Sequence, residues 1–380
     1  MKKFLFMPDS FKGTLSSAEI CDILEESAQK FFPGVSCCKI PVADGGEGSV
    51  DCFVQALNGS KITCTVANPF FEPIDATFGL IHDGQTAVIE MAACAGLPLV
   101  EQRRNPLTAT TYGVGELMVA ALDRQVSTII IGLGGSATND GGCGAAAALG
   151  VRFINAAGES FIPTGGTLDE ICTIDCTQLD PRLAHTTVIA MCDIDNPMTG
   201  PNGASFIFGP QKGADPVMVE ALDAKMKHLA RLMRTQLKCD LENTPGSGAA
   251  GAMGAGCEAF FHAKLKSGID TVLDTTHFED LAADADFIFT GEGRLDSQSL
   301  QGKVVIGISR RAQALNVPVI AIVGGAIDKG LEPGYAMGLS AVFSINRLPE
   351  DFSVSRYKSK ENLTATAENI FRLIKCSTTL

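Results

Sequence analysis

Six times along this chain a short apolar run ends in a segment, mostly rich in glycine, that carries carboxylates, amides or cations. Run 4–7 is followed by Asp9, Ser10 and Lys12, and run 39–43 by Asp44-Gly45-Gly46-Glu47-Gly48. Run 128–133 leads into Gly134-Gly135-Ser136-Ala137-Thr138-Asn139-Asp140, and run 187–192 into Asp193, Asp195 and Asn196. Run 286–290 delivers Gly291-Glu292-Gly293-Arg294-Leu295-Asp296, and run 318–323 delivers Gly324, Gly325 and Asp328. Buried strands alternating with helical segments dictate an α/β fold, in which ligands bind outside the carboxyl ends of the strands. One such segment is an ordinary turn. Six of them predict convergence on a single site.

Between these runs, apolar residues recur with helical spacing at 49–57, 113–122, 216–237, 304–315 and 361–375, and a further strand is expected at 341–345. Ser16 and Glu19 have the spacing of a capping box, ahead of an apolar face built from Ile20, Ile23, Leu24 and Phe31. The middle differs from the ends. Asp83-Gly84 reads as a hairpin turn, which implies antiparallel pairing, and 243–257 is an uncharged stretch of mostly Gly and Ala. The 380 residues predict two domains. The expected arrangement is a discontinuous Rossmann-like domain from 1–75 and 260–380, with a second mixed α/β domain inserted at 76–259.

Charge excludes one function class. With 30 Lys and Arg against 43 Asp and Glu, the chain lacks the basic footprint of a nucleic-acid binder. Residues 4–7 are too short an apolar run for a signal peptide, and no run reaches the length of a membrane span. Thirteen cysteines without zinc-site spacing, and five dispersed histidines, read as reduced thiols in a cytoplasmic protein with no His-based metal site. An acidic protein that handles anions must use backbone N–H groups and a few placed cations. Lys12, Lys212, Arg294 and Lys303 stand in or beside glycine-rich segments and are the candidates.

Gly132-x-Gly134-x-x-Ala137 follows a strand and superficially fits a dinucleotide fingerprint, so a Rossmann-type NAD(P)-dependent oxidoreductase of a small hydroxy acid is an alternative. No acidic residue closes 151–154 to hold a ribose, and the segment reads better as an anion nest. Gly246-x-Gly248-x-x-Gly251 follows Pro245 and no strand. Walker A and protein-kinase signatures are absent. Asp193 and Asp195, two residues apart, are suited to hold Mg²⁺ beside a nucleotide or to take a proton, although Asp195-Asn196-Pro197 also has the composition of a capped turn.

The chain resembles the type I glycerate kinase family along nearly its whole length. PDSFKGTLS at 8–16, PVADGGEG at 41–48, RNPLTATTYGVGEL at 104–117 and GLGGSATNDGG at 132–142 carry the likeness. CDIDNPMTGPNGA at 192–204, FGPQKGA at 208–214, GSGAAGAMGAG at 246–256 and TGEGRLDSQSLQGK at 290–303 continue it. The resemblance implies ATP-dependent phosphorylation of D-glycerate with Mg²⁺ in an interdomain cleft, 2-phosphoglycerate being favoured over 3-phosphoglycerate. Within it, Gly134, Gly135, Ser136, Thr138, Asn139 and Asp140, with Gly248 and Gly251, are expected at the nucleotide phosphates. Lys212 and Lys12 are expected to neutralise the transferring phosphoryl group. Asp193 is the expected base, with Asp44 or Glu47 as runner-up, and Asp193 and Asp195 are the expected metal ligands. Ser10, Asp44, Glu47, Glu292 and Arg294 are expected around glycerate. The oligomeric state is left open.

Overall fold

The computed structural model describes residues 2–43, 45–46, 48–296, 299, 302–326 and 331–377. Asp44, Glu47 and Asp328, singled out from the sequence, lie outside the described residues. The chain divides into two compact units: Met1–Asp44, Gln55–Leu57 and Gly268–Leu380 form the first, Gly45–Val54 and Asn58–Ser267 the second.

In the first unit, five parallel strands lie in the order Leu339–Ser344, Val319–Val323, Phe287–Gly291, Lys3–Pro8, Ser36–Lys39. Phe4, Leu5, Phe6 and Met7 are all fully buried, as a strand covered on both faces requires. Phe4 and Phe6 face a core completed by Phe289 and Phe371, with the Phe289 and Phe371 rings 5.0 Å apart. Helix Ser17–Phe31 starts at the expected capping box, where the Ser16 hydroxyl and the Glu19 carboxylate satisfy each other's backbone N–H groups. It packs against the C-terminal helix Ser359–Ser377. The run at 39–43 is displaced from its expected role: the strand is Ser36–Lys39. Beyond it, the Ile40 and Val42 amides carry the ladder on to Phe6 and Pro8.

Chain order reverses between Lys3–Pro8 and Phe287–Gly291, so this pair is the switch point of the sheet. The segments leaving its two carboxyl ends, 9–12 and 292–296, are therefore brought together.

The second unit contains a six-stranded mixed sheet in the order Lys264–Lys266, Thr187–Met191, Thr128–Gly132, Thr86–Glu90, Pro73–Ile81, Ser60–Ala67. The first four strands run parallel, and the last two pairings are antiparallel. The turn through His82, Asp83 and Gly84, all with positive φ, joins two of them as the Asp-Gly pair predicts. A small three-stranded sheet holds Arg152–Ile154, where a strand is expected at 151–154, with Ser160–Phe161 and Thr173–Asp175, which have no counterpart among the expected elements.

The unit boundaries also differ from 75/76 and 259/260. Ser60–Ala67 pairs along its length with Pro73–Ile81, and Lys264–Lys266 pairs with Thr187–Met191. Hydrogen-bonded neighbours in a sheet cannot be assigned to separate cores, so both strands belong to the second unit. Helix 216–237 is Pro216–Leu232 followed by a π-turn at Met233–Leu237. Asp215 caps its start with an acceptor 2.8 Å from the Met218 amide.

Candidate active site

In the first unit, the carboxyl ends of the switch-point strands open into a cavity of about 700 Å³. Asp9, Ser10, Lys12, Glu292, Arg294 and Lys303 line it. The loops after Phe287–Gly291 and Val319–Val323 are pressed together. A Cβ on Gly291 would collide with the Ile322 carbonyl, and one on Gly324 with the Gly293 carbonyl. Glycine here is a packing requirement that brings 292–296 to the cavity wall.

Glu292 is 8% exposed, and its Oε1 has no hydrogen-bond partner. Burial pushes its carboxyl up to about 7. Asp9 and Asp296 add to the rise, while a Ser299 hydrogen bond and Lys303 oppose it. Arg294 is largely exposed, with its Nε 3.8 Å from Asp296. Lys12 is exposed as well, whereas Asp9 is buried and accepts a 2.6 Å hydrogen bond from the Ser10 amide. The cavity therefore presents cationic groups beside a buried carboxyl, a setting suited to a small acid bearing a hydroxyl.

In the second unit, the loop after Thr128–Gly132 folds around a fully buried carboxylate. Asp140 accepts 2.8 Å hydrogen bonds from the Thr111 amide and hydroxyl, with further bonds from the Gly142 and Gly144 amides. Burial pushes its pKa up and these donors hold it back. Its oxygens accept from the protein's own donors, so Asp140 organises the loop expected at the nucleotide phosphates. The nest is also partly spent: the Gly134, Ala137 and Thr138 amides donate to Gly45 O, Ala95 O and Ser136 Oγ.

Lys212, from the turn Pro210–Lys212, is 1% exposed. Its Nζ donates 2.5 Å to the Thr138 carbonyl and lies 3.4 Å from Ser136 Oγ. Burial pulls the ammonium down to about 7, against the pull of Asp140. Gly251 reaches the same place, and Gly248 lies against the 196–197 segment. A Cβ on Gly251 would strike the Thr138 carbonyl, and one on Gly248 the Pro197 carbonyl. Ala250, Gly251 and Ala252 are all left-handed, with φ of 56°, 70° and 65°. This conformation costs about 1–2 kcal/mol at each alanine. Hydrogen bonds from Gly141 N to Gly251 O and from Ser136 Oγ to Ala250 O tie the turn down. Two side-chain acceptors here, Asn139 Oδ1 and Ser247 Oγ, are buried without partners.

Asp193 and Asp195 are exposed beyond the end of Thr187–Met191. Among the described residues, no group of three His, Cys, Asp or Glu side chains is arranged to hold a metal ion. Two carboxylates of one exposed segment still fit Mg²⁺, which keeps several waters and leans on one or two protein oxygens.

Residues 4–375 match the glycerate kinase family. This chain belongs to the glycerate kinase family. Its relatives include glycerate kinase of Bacillus cereus, 46% identical over 369 residues and covering 97% of both chains. Another is glycerate 2-kinase of Escherichia coli, 43% identical over 344 residues and 90% of both. The crystal structure of a candidate glycerate kinase 2 from Salmonella typhimurium LT2 superimposes with a TM-score of 0.90, at 41% identity and full coverage of both chains. Membership of the glycerate kinase family removes the oxidoreductase alternative.

The structure thus gathers Ser10, Lys12, Glu292 and Arg294 in one unit, and Ser136, Thr138, Asn139, Asp140, Lys212, Gly248 and Gly251 in the other. Sequence reasoning missed Ser299, Asn346 and Phe352, which also line the cavity. It also missed Ser247 and Thr111. Ser247, Thr111 and Ser299 lie within the distinctive segments 246–256, 104–117 and 290–303, whereas Asn346 and Phe352 lie outside all of them.

Proposed function

We propose that this glycerate kinase family member transfers the γ-phosphoryl group of ATP to the 2-hydroxyl of D-glycerate, giving 2-phosphoglycerate and ADP. The observation that carries this reading is the whole-length match to proteins named glycerate kinase, one of them glycerate 2-kinase. The cavity at the switch point supports glycerate binding, its carboxylate meeting Arg294, Lys12 and the Ser10 hydroxyl. Lys212 and the 134–140 loop, with the 246–252 turn, would face the nucleotide phosphates. The negative charge of ATP would favour the protonated form of Lys212. Phosphoryl transfer asks mainly for positioning and charge neutralisation, which is what these groups offer. Mg²⁺ bound with ATP would neutralise phosphate charge, with Asp193 and Asp195 holding it through retained waters.

Among the described residues no helix is long and apolar enough to cross a membrane. Cytoplasmic action is proposed because the thirteen cysteines are free thiols.

The test is ADP release measured with a panel of small hydroxy acids, followed by phosphorus NMR of the product. Turnover with D-glycerate and a phosphate resonance coupled to the C2 proton are expected. No turnover with D-glycerate would overturn the reading, and a C3 phosphate would overturn its regiochemistry.

A further inference from the structure

We propose that Glu292 takes the proton from the glycerate hydroxyl that attacks ATP, which makes it a catalytic residue of the reaction proposed above. The inference rests on that reading for its substrate and on the geometry of the first unit for its residue. A proton acceptor belongs on a group that lines the ligand's cavity and needs an oxygen that the protein has not already filled. Glu292 meets both conditions: the residue lines the cavity with its side chain more than nine-tenths buried, and its enclosed Oε1 has no partner in the protein. Its position immediately after Phe287–Gly291, beside Lys3–Pro8, sets it at the switch point of the sheet.

The other carboxylates proposed for chemistry are worse placed among the described residues. Asp140 is buried but its oxygens already accept four hydrogen bonds. Asp193 and Asp195 are exposed, so a proton taken there is exchanged with bulk water rather than held beside the substrate.

The groups facing Glu292 tune it. Asp9, leaving the first strand, and Asp296, further along its own loop, disfavour an additional negative charge, while Ser299 and Lys303 favour one. Lys12 and Arg294 complete the charged lining. Together with burial these hold the carboxyl near 7, where a base combines availability with driving force. In the step itself, the hydroxyl O–H breaks and its proton moves to the Glu292 carboxylate. The hydroxyl oxygen bonds to the γ-phosphorus, and the bond from that phosphorus to the β,γ-bridging oxygen breaks. Its electron pair leaves with ADP, and the proton on Glu292 passes to water after product release.

The test compares full-length wild type, Glu292→Gln and Glu292→Asp at saturating ATP, reading kcat, KM for D-glycerate and the pH profile of kcat/KM. For Glu292→Gln, kcat should fall about 10²–10⁴-fold with KM for glycerate little changed. Activity of the wild type should rise with pH through a limb near 7 that the variant lacks. Near-wild-type kcat in Glu292→Gln would overturn the proposal. So would a raised KM with intact kcat, which would mean a substrate-holding role, or recovery in excess Mg²⁺ or Mn²⁺, which would mean a metal ligand. If Glu292→Gln fails to fold, the wild-type profile decides: absence of the acid limb overturns the proposal, and a limb shifted in Glu292→Asp upholds it. Wild-type inactivity toward glycerate would instead overturn the functional reading itself, a result distinguishable from any of these.

Discussion

Lys212 and Glu292 are buried charges of opposite sign in different units, and burial moves both toward 7 from opposite directions. They differ in what surrounds them. The Lys212 ammonium is wrapped by the Thr138 carbonyl and the Ser136 hydroxyl inside a tightly packed loop. Glu292 lines a cavity of about 700 Å³ and keeps one buried oxygen without a partner. Similar desolvation thus yields a cation satisfied by the protein in one unit and an unsatisfied acceptor at a cavity wall in the other. The pH dependence of stability separates them as well. Between about 4.5 and 7 the folded state binds more protons at Glu292 than the unfolded chain does, so this group makes stability fall as pH rises. Between about 7 and 10.5 the unfolded chain binds more at Lys212, so stability rises with pH.

The largest effect is expected from Lys212→Met. Turnover should fall about 10²–10³-fold, measured by ADP release, because a charge aimed at the phosphates is lost. Stability near pH 7 should hold or rise, since a desolvated buried ammonium is replaced by an apolar side chain. The increase in stability between pH 7 and 10.5 should disappear. A large loss of stability in denaturant would mean that Lys212 is mainly a structural strut.

Asp140→Asn tests whether the loop that holds Lys212 depends on its central carboxylate. An amide cannot accept from all of Thr111, Gly142 and Gly144, so about 1–3 kcal/mol of stability should be lost in urea unfolding. Unchanged stability would show that the loop is held by packing alone. The smallest effect is expected from Ala250→Gly. Removing a Cβ at φ 56° relieves left-handed strain and should raise stability by about 1 kcal/mol. A loss would mean that Cβ packing outweighs the strain.

Local features are legible in the order of residues. The Ser16–Glu19 capping box, the Asp83-Gly84 turn and the long helices depend on near neighbours, so the chain spells them out. Features that depend on distant partners are not. The position of 36–39 in the ladder is decided by pairing with Lys3–Pro8, and the unit boundary by Ser60–Ala67 joining Pro73–Ile81. Nothing in the alanines at 250 and 252 announces a left-handed turn, because only contact with the 136–141 loop holds it. Asp140 illustrates the limit at the site: its composition suits an anion-binding loop, yet Thr111, far away in sequence, claims its oxygens.

Sequence alone determined the α/β class, the family and the segments that carry chemistry, because strand and helix periodicity and glycine-rich motifs are written in local order. Tertiary contacts decide which carboxylate is buried and unsatisfied and which is buried and filled. Burial and hydrogen-bond satisfaction are set by partners across the fold, and those partners determine whether Glu292 or Asp140 has an oxygen left to offer a ligand.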